Sequence, residues 1–354
     1  MCIISTPYGP GTLRAHGRLN HSQPCSPGPV HWTGLFVFTL LKSAAPHPYL
    51  LPRYMSGYMT PAKPRPVLRI ALPNKGRLAQ DTRELFNDAG LEVRALSERA
   101  LTASLGGEFE AIFVRAQDIP EFVCDGAADA GITGLDLVAE SRRPVESRLD
   151  LGFGRCRLAV AAREDSGLTS LSDLASGVRV ASAFPNITER YFREAGHEIT
   201  VVPVSGAAEI APHLGIADII VDLVSTGSTL KTNGLREVTT IMWSTAQLVV
   251  ASDRSGWPAA REVALHELST ALESVIAARG QRYLMANVPR DRLSEVREIV
   301  PGLNGPTVID VLDGGRHVAV HAVVPAAAIY RTITALKAIG GEGILVTRIE
   351  RLMK

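Results

Sequence analysis

No aspartate or glutamate occurs before Asp81. Residues 1–66 nevertheless hold six of the 37 lysines and arginines, half of the 22 prolines and four of the nine histidines, so the rest of the chain carries 31 bases against 36 acids. The formal net charge is only +1, and no global field draws in nucleic acid. Cysteine is scarce: Cys2, Cys25, Cys124 and Cys156 show no CxxC or metal spacing. That excludes a disulfide framework and fits a reducing cytoplasm. No run approaches the ~18 apolar residues that cross a bilayer, so no membrane role is expected. A Walker loop, a GxGxxG after a strand, an HExxH and a nucleophile elbow are all missing. Their absence removes the commonest nucleotide-binding and hydrolase readings.

What remains is a chain of 354 residues, 46% of them hydrophobic, enough for two or three domains with sizeable cores. Residues 1–66 lack sustained periodicity and are broken by proline and glycine. Their one apolar patch, 34–41 (GLFVFTLL), has the look of a secretory core. It lies behind about thirty residues of Pro- and His-rich chain, where a signal has a brief basic start. This stretch is therefore expected to be disordered or not part of the natural product, with Met55 and Met59 as alternative starts.

The ordered grammar begins at 67–72 (VLRIAL), an alternating strand. A helix over 78–89 follows, then a strand over 109–115 and a short strand over 128–132 ending in Gly131 and Gly134. This is the strand–turn–helix repeat of a mostly parallel sheet. A second lobe starts near Arg157, with strands at 157–162, 178–183 and 198–204, a helix at 186–195, and a stretch from Ser205 to Glu209 leading into a helix that runs to Leu214. Two apolar segments, 238–243 and 246–251, read as returning to the first lobe, and 263–278 is a helix stopped by Gly280. From Gln281 the order is βαββαβ, the ferredoxin-like split unit.

Several polar turns follow strands. The fullest is 217–230 (ADIIVDLVSTGSTL): an apolar strand with Asp222 near its end, then Ser225, Thr226, Gly227, Ser228 and Thr229. Small hydroxyl residues around a glycine offer N–H and O–H groups to a phosphate. The acid upstream suits ribose hydroxyls. The same residues also fit a polar turn that merely caps a helix. After the first strand, Lys75, Gly76 and Arg77 suit a polyphosphate, or form a solvated basic turn. Arg115 ends another strand, and Asp129 with Gly131–Gly134 forms a tight turn near a third. His317 and His321 alternate along one strand, which fits half-buried sheet positions better than a metal pair.

Taken in order, these turns resemble the ATP phosphoribosyltransferase family, the first enzymes of histidine biosynthesis. The resemblance runs from Leu68 to Lys354 through LRIALPNKGRL, RAQDIPEFVCDGAADAGITGLDLV, LGFGRCRLAVA, VRVASAFPNI, GAAEIAPHLGIADIIVDLVSTGSTLKTNGL, QRYLMANVP and GILVTRIE. It implies an α/β fold: a two-lobed catalytic core like type II periplasmic binding proteins, plus a C-terminal ferredoxin-like βαββαβ regulatory domain. Lobe I would take 67–156 with 240–280, lobe II 157–239, and the histidine-binding domain 281–354. A tail of this kind marks the long form.

The resemblance also implies the reaction. ATP and phosphoribosyl pyrophosphate give N1-(5-phosphoribosyl)-ATP and pyrophosphate with Mg²⁺, in a homo-oligomer (dimer or hexamer) that histidine inhibits. By the same resemblance Ser225, Thr226, Gly227, Ser228 and Thr229 would hold the 5-phosphate. Asp222 would bind the ribose, and Glu209 would serve at the ribose or Mg²⁺. Lys75, Gly76, Arg77 and Arg115 would lie near the triphosphate or pyrophosphate, Asp129 on the ATP side, and Asn287, Leu303, Thr307 and Gly343 at the histidine pocket. Phe184 stands where relatives lead one to expect tyrosine, and reads as a wall of the cleft. Two other classes compete: a solute-binding protein of the same fold without chemistry, and a catalytically idle regulatory partner.

Overall fold

The computed structural model describes residues 68–95, 100–107, 109–312 and 315–353. The expectation for 1–66 lies outside them. β1 (Arg69–Pro73) is buried along almost its whole length, as a strand covered on both faces must be. After it come α1 (Ala79–Asp88), β2 (Val93–Arg94), β3 (Thr102–Leu105), β4 (Phe109–Val114), α2 (Ile119–Cys124), β5 (Ala130–Gly134), α3 (Leu135–Ser141) and β6 (Val145–Asp150). β1 pairs in parallel with β4 and β5, while β2 and β3 extend one side as antiparallel strands.

The chain then builds a second sheet from β7 (Cys156–Arg163), β8 (Val178–Ser182), β9 (Ile199–Pro203), β10 (Ile219–Val224) and β11 (Leu235–Ser244), in the order β11-β7-β10-β8-β9. Between these strands lie α4 (Pro185–Glu194) and α5 (Ser228–Thr232). β12 (Ala246–Ala251) returns to the first sheet, whose order is β2-β3-β4-β1-β5-β12-β6. The sheets are joined by strand-to-strand connections after Asp150 and after Ser244. This is the two-lobed α/β core the sequence leads one to expect.

α6 (Ala259–Ala278) covers the first sheet through Leu265, Leu268, Leu272 and Val275, which share a core with Ile70, Leu72 and Ile132. Each such side chain contributes about 1.5–3 kcal/mol by leaving water. α3 is different. It leaves a first-sheet strand, yet Leu137 and Ala139 pack on the second sheet's core. Glu140 accepts the backbone N–H groups of Asn186 and Ile187, at 2.9 and 3.0 Å, at the start of α4. Burial pushes the Glu140 carboxyl up, and those two N–H groups oppose the rise.

The last unit runs β13 (Gln281–Pro289), α7 (Leu293–Ile299), β14 (Thr307–Asp310), β15 (His317–Pro325), α8 (Ile329–Ala338) and β16 (Glu342–Arg348). The antiparallel sheet order is β14-β15-β13-β16. This is the spatial order of a ferredoxin-like βαββαβ unit. Strict alternation buries Leu284, Ala286, Val288, Val318 and Val320 with Val296 of α7 and Leu336 of α8, leaving the other face open.

Three local expectations are corrected. The helix expected to reach Leu214 is a 3-10 turn, Ala208–Ile210, followed by non-helical turns. Pro212 has no N–H to continue a helix. Residues 238–243 do not return to the first lobe. β11 stays in the second sheet through Ser244, paired with β7 across two register shifts, so the crossing falls at Thr245. β2, β3 and β6 were not foreseen; β6 (VESRLD) is polar and largely exposed, and an edge strand of that kind leaves little hydrophobic signal.

Candidate active site

β8, β9 and β10 run in parallel, so their C-terminal ends share one edge. Loops leaving such an edge hold ligands in open α/β sheets. On β10 the pleat points Asp222 to the same side as Ile220 and Val224. Asp222 is half-buried, and its Oδ1 accepts the Leu223 backbone N–H at 2.7 Å. Burial pushes its carboxyl above the ordinary 3.8, the Leu223 N–H opposes the rise, and the negative charge of Glu209 adds to it. Glu209 arrives on the turn after β9, behind Ala207, whose backbone is left-handed at φ 51°. A non-glycine residue in that conformation costs about 1–2 kcal/mol, so its surroundings hold the turn.

Beyond β10, Ser225 and Thr226 are exposed and Gly227 turns the chain at φ +83°, a conformation that glycine adopts without steric cost. Asp222, Glu209, Ser225, Thr226, Gly227 and Thr229 line one small pocket of about 130 Å³. Ser228 is not part of its lining; its Oγ shares a 3.0 Å hydrogen bond with Thr226 Oγ1. The structure also supplies a residue that sequence reasoning missed. Arg157 of β7 donates from Nη1 to the Ser225 carbonyl at 3.1 Å, and from Nε and Nη2 to Glu237 of β11. That guanidinium holds the Glu237 carboxyl below the usual range. A cation at the start of an otherwise apolar strand, RCRLAVA, was the available signal.

On the first sheet, Lys75, Gly76 and Arg77 are exposed just past β1, and Arg115 just past β4. Because β1 and β4 are parallel, both turns leave the same edge. Arg77 also donates to the Gly154 carbonyl and lies 3.8 Å from Asp136. Asp129 belongs elsewhere. It precedes β5, level with the start of β1, where it accepts the Arg69 backbone N–H at 2.7 Å and pairs with Arg261 at 3.2 Å. That is the opposite edge of the sheet, so its assignment to the ATP side is corrected: the strand carries the chain away from Asp129 before the cleft begins. Phe184 is 5% exposed and packs with Ile187 and Phe192, so it is core and not a cleft wall.

Comparison with known proteins decides the family. The family profile described as ATP phosphoribosyltransferase matches residues 115–274, and the one described as HisG, C-terminal domain, matches 278–351. An ATP phosphoribosyltransferase of Gemmatimonas aurantiaca is 70% identical over 292 residues, spanning 81% of this chain and all of that protein. The chain belongs to the ATP phosphoribosyltransferase family. An ATP phosphoribosyltransferase of Methanococcoides burtonii is 47% identical over 288 residues, again 81% of this chain and all of that one. Among solved structures, an ATP phosphoribosyl transferase (HisG:HisZ) complex from Thermotoga maritima aligns with a TM-score of 0.51 and 28% identity, covering 58% of this chain and 99% of that one. The protein is thus a pentosyltransferase of long-form architecture, and the solute-binding and idle-partner readings fall.

The phosphoribosyltransferase's two pocket carboxylates fit a magnesium ion, which takes one or two carboxylates and completes its shell with water and substrate phosphate oxygens. No group of three or more His, Cys, Asp or Glu side chains suited to a metal occurs among the described residues. His317 and His321 are half-buried: His317 lies 3.7 Å from Glu342, and His321 shares a short hydrogen bond with Tyr283. In the tail the structure brings together Asn287 and Gly343, where an added Cβ would lie 3.1 Å from Asn287 Nδ2. Thr307 on β14 is two strands from β13, ~10 Å at sheet spacing, and exposed Leu303 precedes it. No helix among the described residues is long and apolar enough to cross a membrane.

Proposed function

We propose that this enzyme joins ATP, through adenine N1, to 5-phosphoribosyl 1-pyrophosphate, giving N1-(5-phosphoribosyl)-ATP and pyrophosphate, and that histidine inhibits it. The observation that carries the reading is the single small pocket in which Asp222 and Glu209 face the 225–229 loop. Ser225, Thr226, Gly227 and Thr229 hold the 5-phosphate through hydroxyls and backbone N–H groups, and Ser228 braces Thr226 from behind. Asp222 accepts hydrogen bonds from the ribose hydroxyls and fixes the ring. The N1 lone pair attacks C1 as the C1–O bond breaks, and that bond's electrons leave with pyrophosphate. Lys75, Arg77 and Arg115 neutralise polyphosphate oxygens, which lowers the barrier where negative charge develops. Glu209 and Asp222 would hold a magnesium ion, which when bound would add charge neutralisation on the leaving group. Holding N1 in line accounts for much of the remaining acceleration, and no side chain acts as a nucleophile.

Asn287 and Gly343 on one side of the tail sheet, and Leu303 and Thr307 on the other, provide polar and apolar contacts for histidine. The enzyme works in the cytoplasm as a dimer or hexamer, and histidine shifts its activity by its differential affinity for two states. Purified protein mixed with ATP, phosphoribosyl pyrophosphate, Mg²⁺ and pyrophosphatase tests the reaction. The absorbance of phosphoribosyl-ATP should rise, and silence from correctly folded protein would sink the proposal.

A further inference from the structure

Asp136 is an ionisable side chain at the join between the sheets for which the reaction has no evident use. It is the second residue of α3, and it is fully buried. Its Oδ1 receives the Ser244 hydroxyl, whose Oγ in turn accepts the Asp136 backbone N–H at 3.1 Å. The carboxylate folds so closely over its own turn that a Cβ at residue 134 would lie 2.1 Å from Oδ1, which only glycine avoids. Oδ1 is thus held by the Ser244 hydroxyl on one side and by the Gly134 backbone on the other. Oδ2 is equally buried and accepts no hydrogen bond. The cation facing it is Arg77, with Nη2 at 3.8 Å.

Arg77 stands on the polar turn after β1, and its Nη1 donates to the Gly154 carbonyl. The Cys156 thiol lies against the same guanidinium. Gly154 sits on one of the two connections that join the sheets, and Ser244 is the last residue of β11 before the other. A buried carboxylate oxygen left without a donor is uncommon in folded proteins and calls for an explanation. A guanidinium presents five N–H groups in a rigid plane, so anchoring two of its corners aims the remaining ones.

We infer that Asp136 is a positioning residue: through Oδ2, with the Gly154 carbonyl as second anchor, it orients the Arg77 guanidinium so that its free N–H groups face the substrate polyphosphate. The inference rests on the reading of the 75–77 turn as the polyphosphate site. Asp136 touches no substrate and acts only through Arg77.

The test uses the full-length enzyme and initial rates with each substrate varied. Arg77→Ala should lower kcat/KM by about 100-fold, the worth of a pair of charge-assisted hydrogen bonds. Asp136→Asn should lower it about tenfold, as one such bond misaligned, raising KM for the polyphosphate substrate more than it lowers kcat. In the Arg77→Ala background, Asp136→Asn should have no further effect, because its route is gone. A structural role would lower the melting temperature and act in both backgrounds; here the Asp136→Asn melting temperature stays within about 2 °C. Full additivity of the two substitutions, or an unchanged rate for Asp136→Asn beside an impaired Arg77→Ala, overturns the inference. An unimpaired Arg77→Ala removes the polyphosphate reading and the inference with it. Arg77→Lys covers the case in which Asp136→Asn does not fold. Lysine keeps the charge without the planar fork, so about tenfold loss is expected, and wild-type rates would overturn the inference.

Discussion

Asp222 and Asp129 are both aspartates beside parallel strands, and both read from sequence as site residues, yet they sit in opposite surroundings. Asp222 stands at the C-terminal edge of its sheet, beside another carboxylate, with a single backbone N–H as partner. Asp129 stands at the N-terminal edge of its sheet, with Arg261 on one oxygen and the Arg69 N–H on the other. Asp129 is satisfied by its own chain. Asp222 is not, and burial and Glu209 drive its carboxyl toward the neutral form. An under-partnered charge at a ligand-binding edge is the pattern of a functional group, and a paired one at the far edge is the pattern of a structural group.

The largest test of that difference is Asp222→Asn. On the proposed mechanism kcat/KM falls by about 10²–10³-fold, because the ribose loses an acceptor placed for the transition state. Stability should move the other way. A carboxyl whose folded pKa is raised stabilises the fold when protonated, below its ordinary value of 3.8, and loses that contribution as pH rises through the folded pKa. At neutral pH the ionised Asp222 is a cost, and asparagine removes it, so the melting temperature at pH 7 rises. At pH 3 the two proteins should melt together. The same shift moves the acid limb of the wild-type kcat/KM profile above the range of an ordinary aspartate. A variant that is both inactive and less stable would break the contrast.

Thr226→Ala sharpens it at smaller amplitude. Losing one hydroxyl from the 5-phosphate site should raise KM for phosphoribosyl pyrophosphate about tenfold, the worth of a hydrogen bond to a charged group. Gly227 and the Arg157 support of Ser225 remain, so kcat should change less than twofold and histidine inhibition should not change. Rates with each substrate varied, with and without histidine, distinguish these outcomes.

The ease of reading these regions from sequence follows from how local their chemistry is. The 225–229 loop is built from short side chains within a few residues of one another, and its strand, its glycine and its hydroxyls were all visible in ADIIVDLVSTGSTL. The βαββαβ tail was equally plain, because strict alternation in β13 and β15 forces one buried face. What stayed hidden depends on long-range partners. Arg157 matters through Ser225 and Glu237, 68 and 80 residues away. Asp129 looked like a turn acid until strand direction separated it from Lys75 and Arg77. Ser228 belonged to the motif, and only the turn's geometry shows its hydroxyl bound to Thr226.

Asn287→Ala extends the contrast to the tail, where the open sheet face offers polar groups without reaction chemistry. On the proposed reading the histidine concentration for half-inhibition rises about fivefold, the loss of roughly one neutral hydrogen bond. The uninhibited rate should remain within twofold, since β13 belongs to a sheet separate from both halves of the core. A titration of histidine against initial rate reads both. A fallen uninhibited rate with unchanged half-inhibition would assign Asn287 to structure.

The smallest effect on rate belongs to Asp129→Asn. Asparagine still accepts the Arg69 N–H but no longer neutralises Arg261, a partly exposed cation that water can reach. The expected loss is about 1–3 kcal/mol of stability, below the figure for a fully buried pair because Arg261 can be resolvated. Substrate turnover should stay within twofold, because the whole length of β5 separates this pair from the turns that leave the cleft edge. Asp129→Asn should therefore melt lower and work normally, while Asp222→Asn melts higher and does not work. If Asp129→Asn instead loses activity at full stability, the division between the two sheet edges fails at the residue chosen to define it.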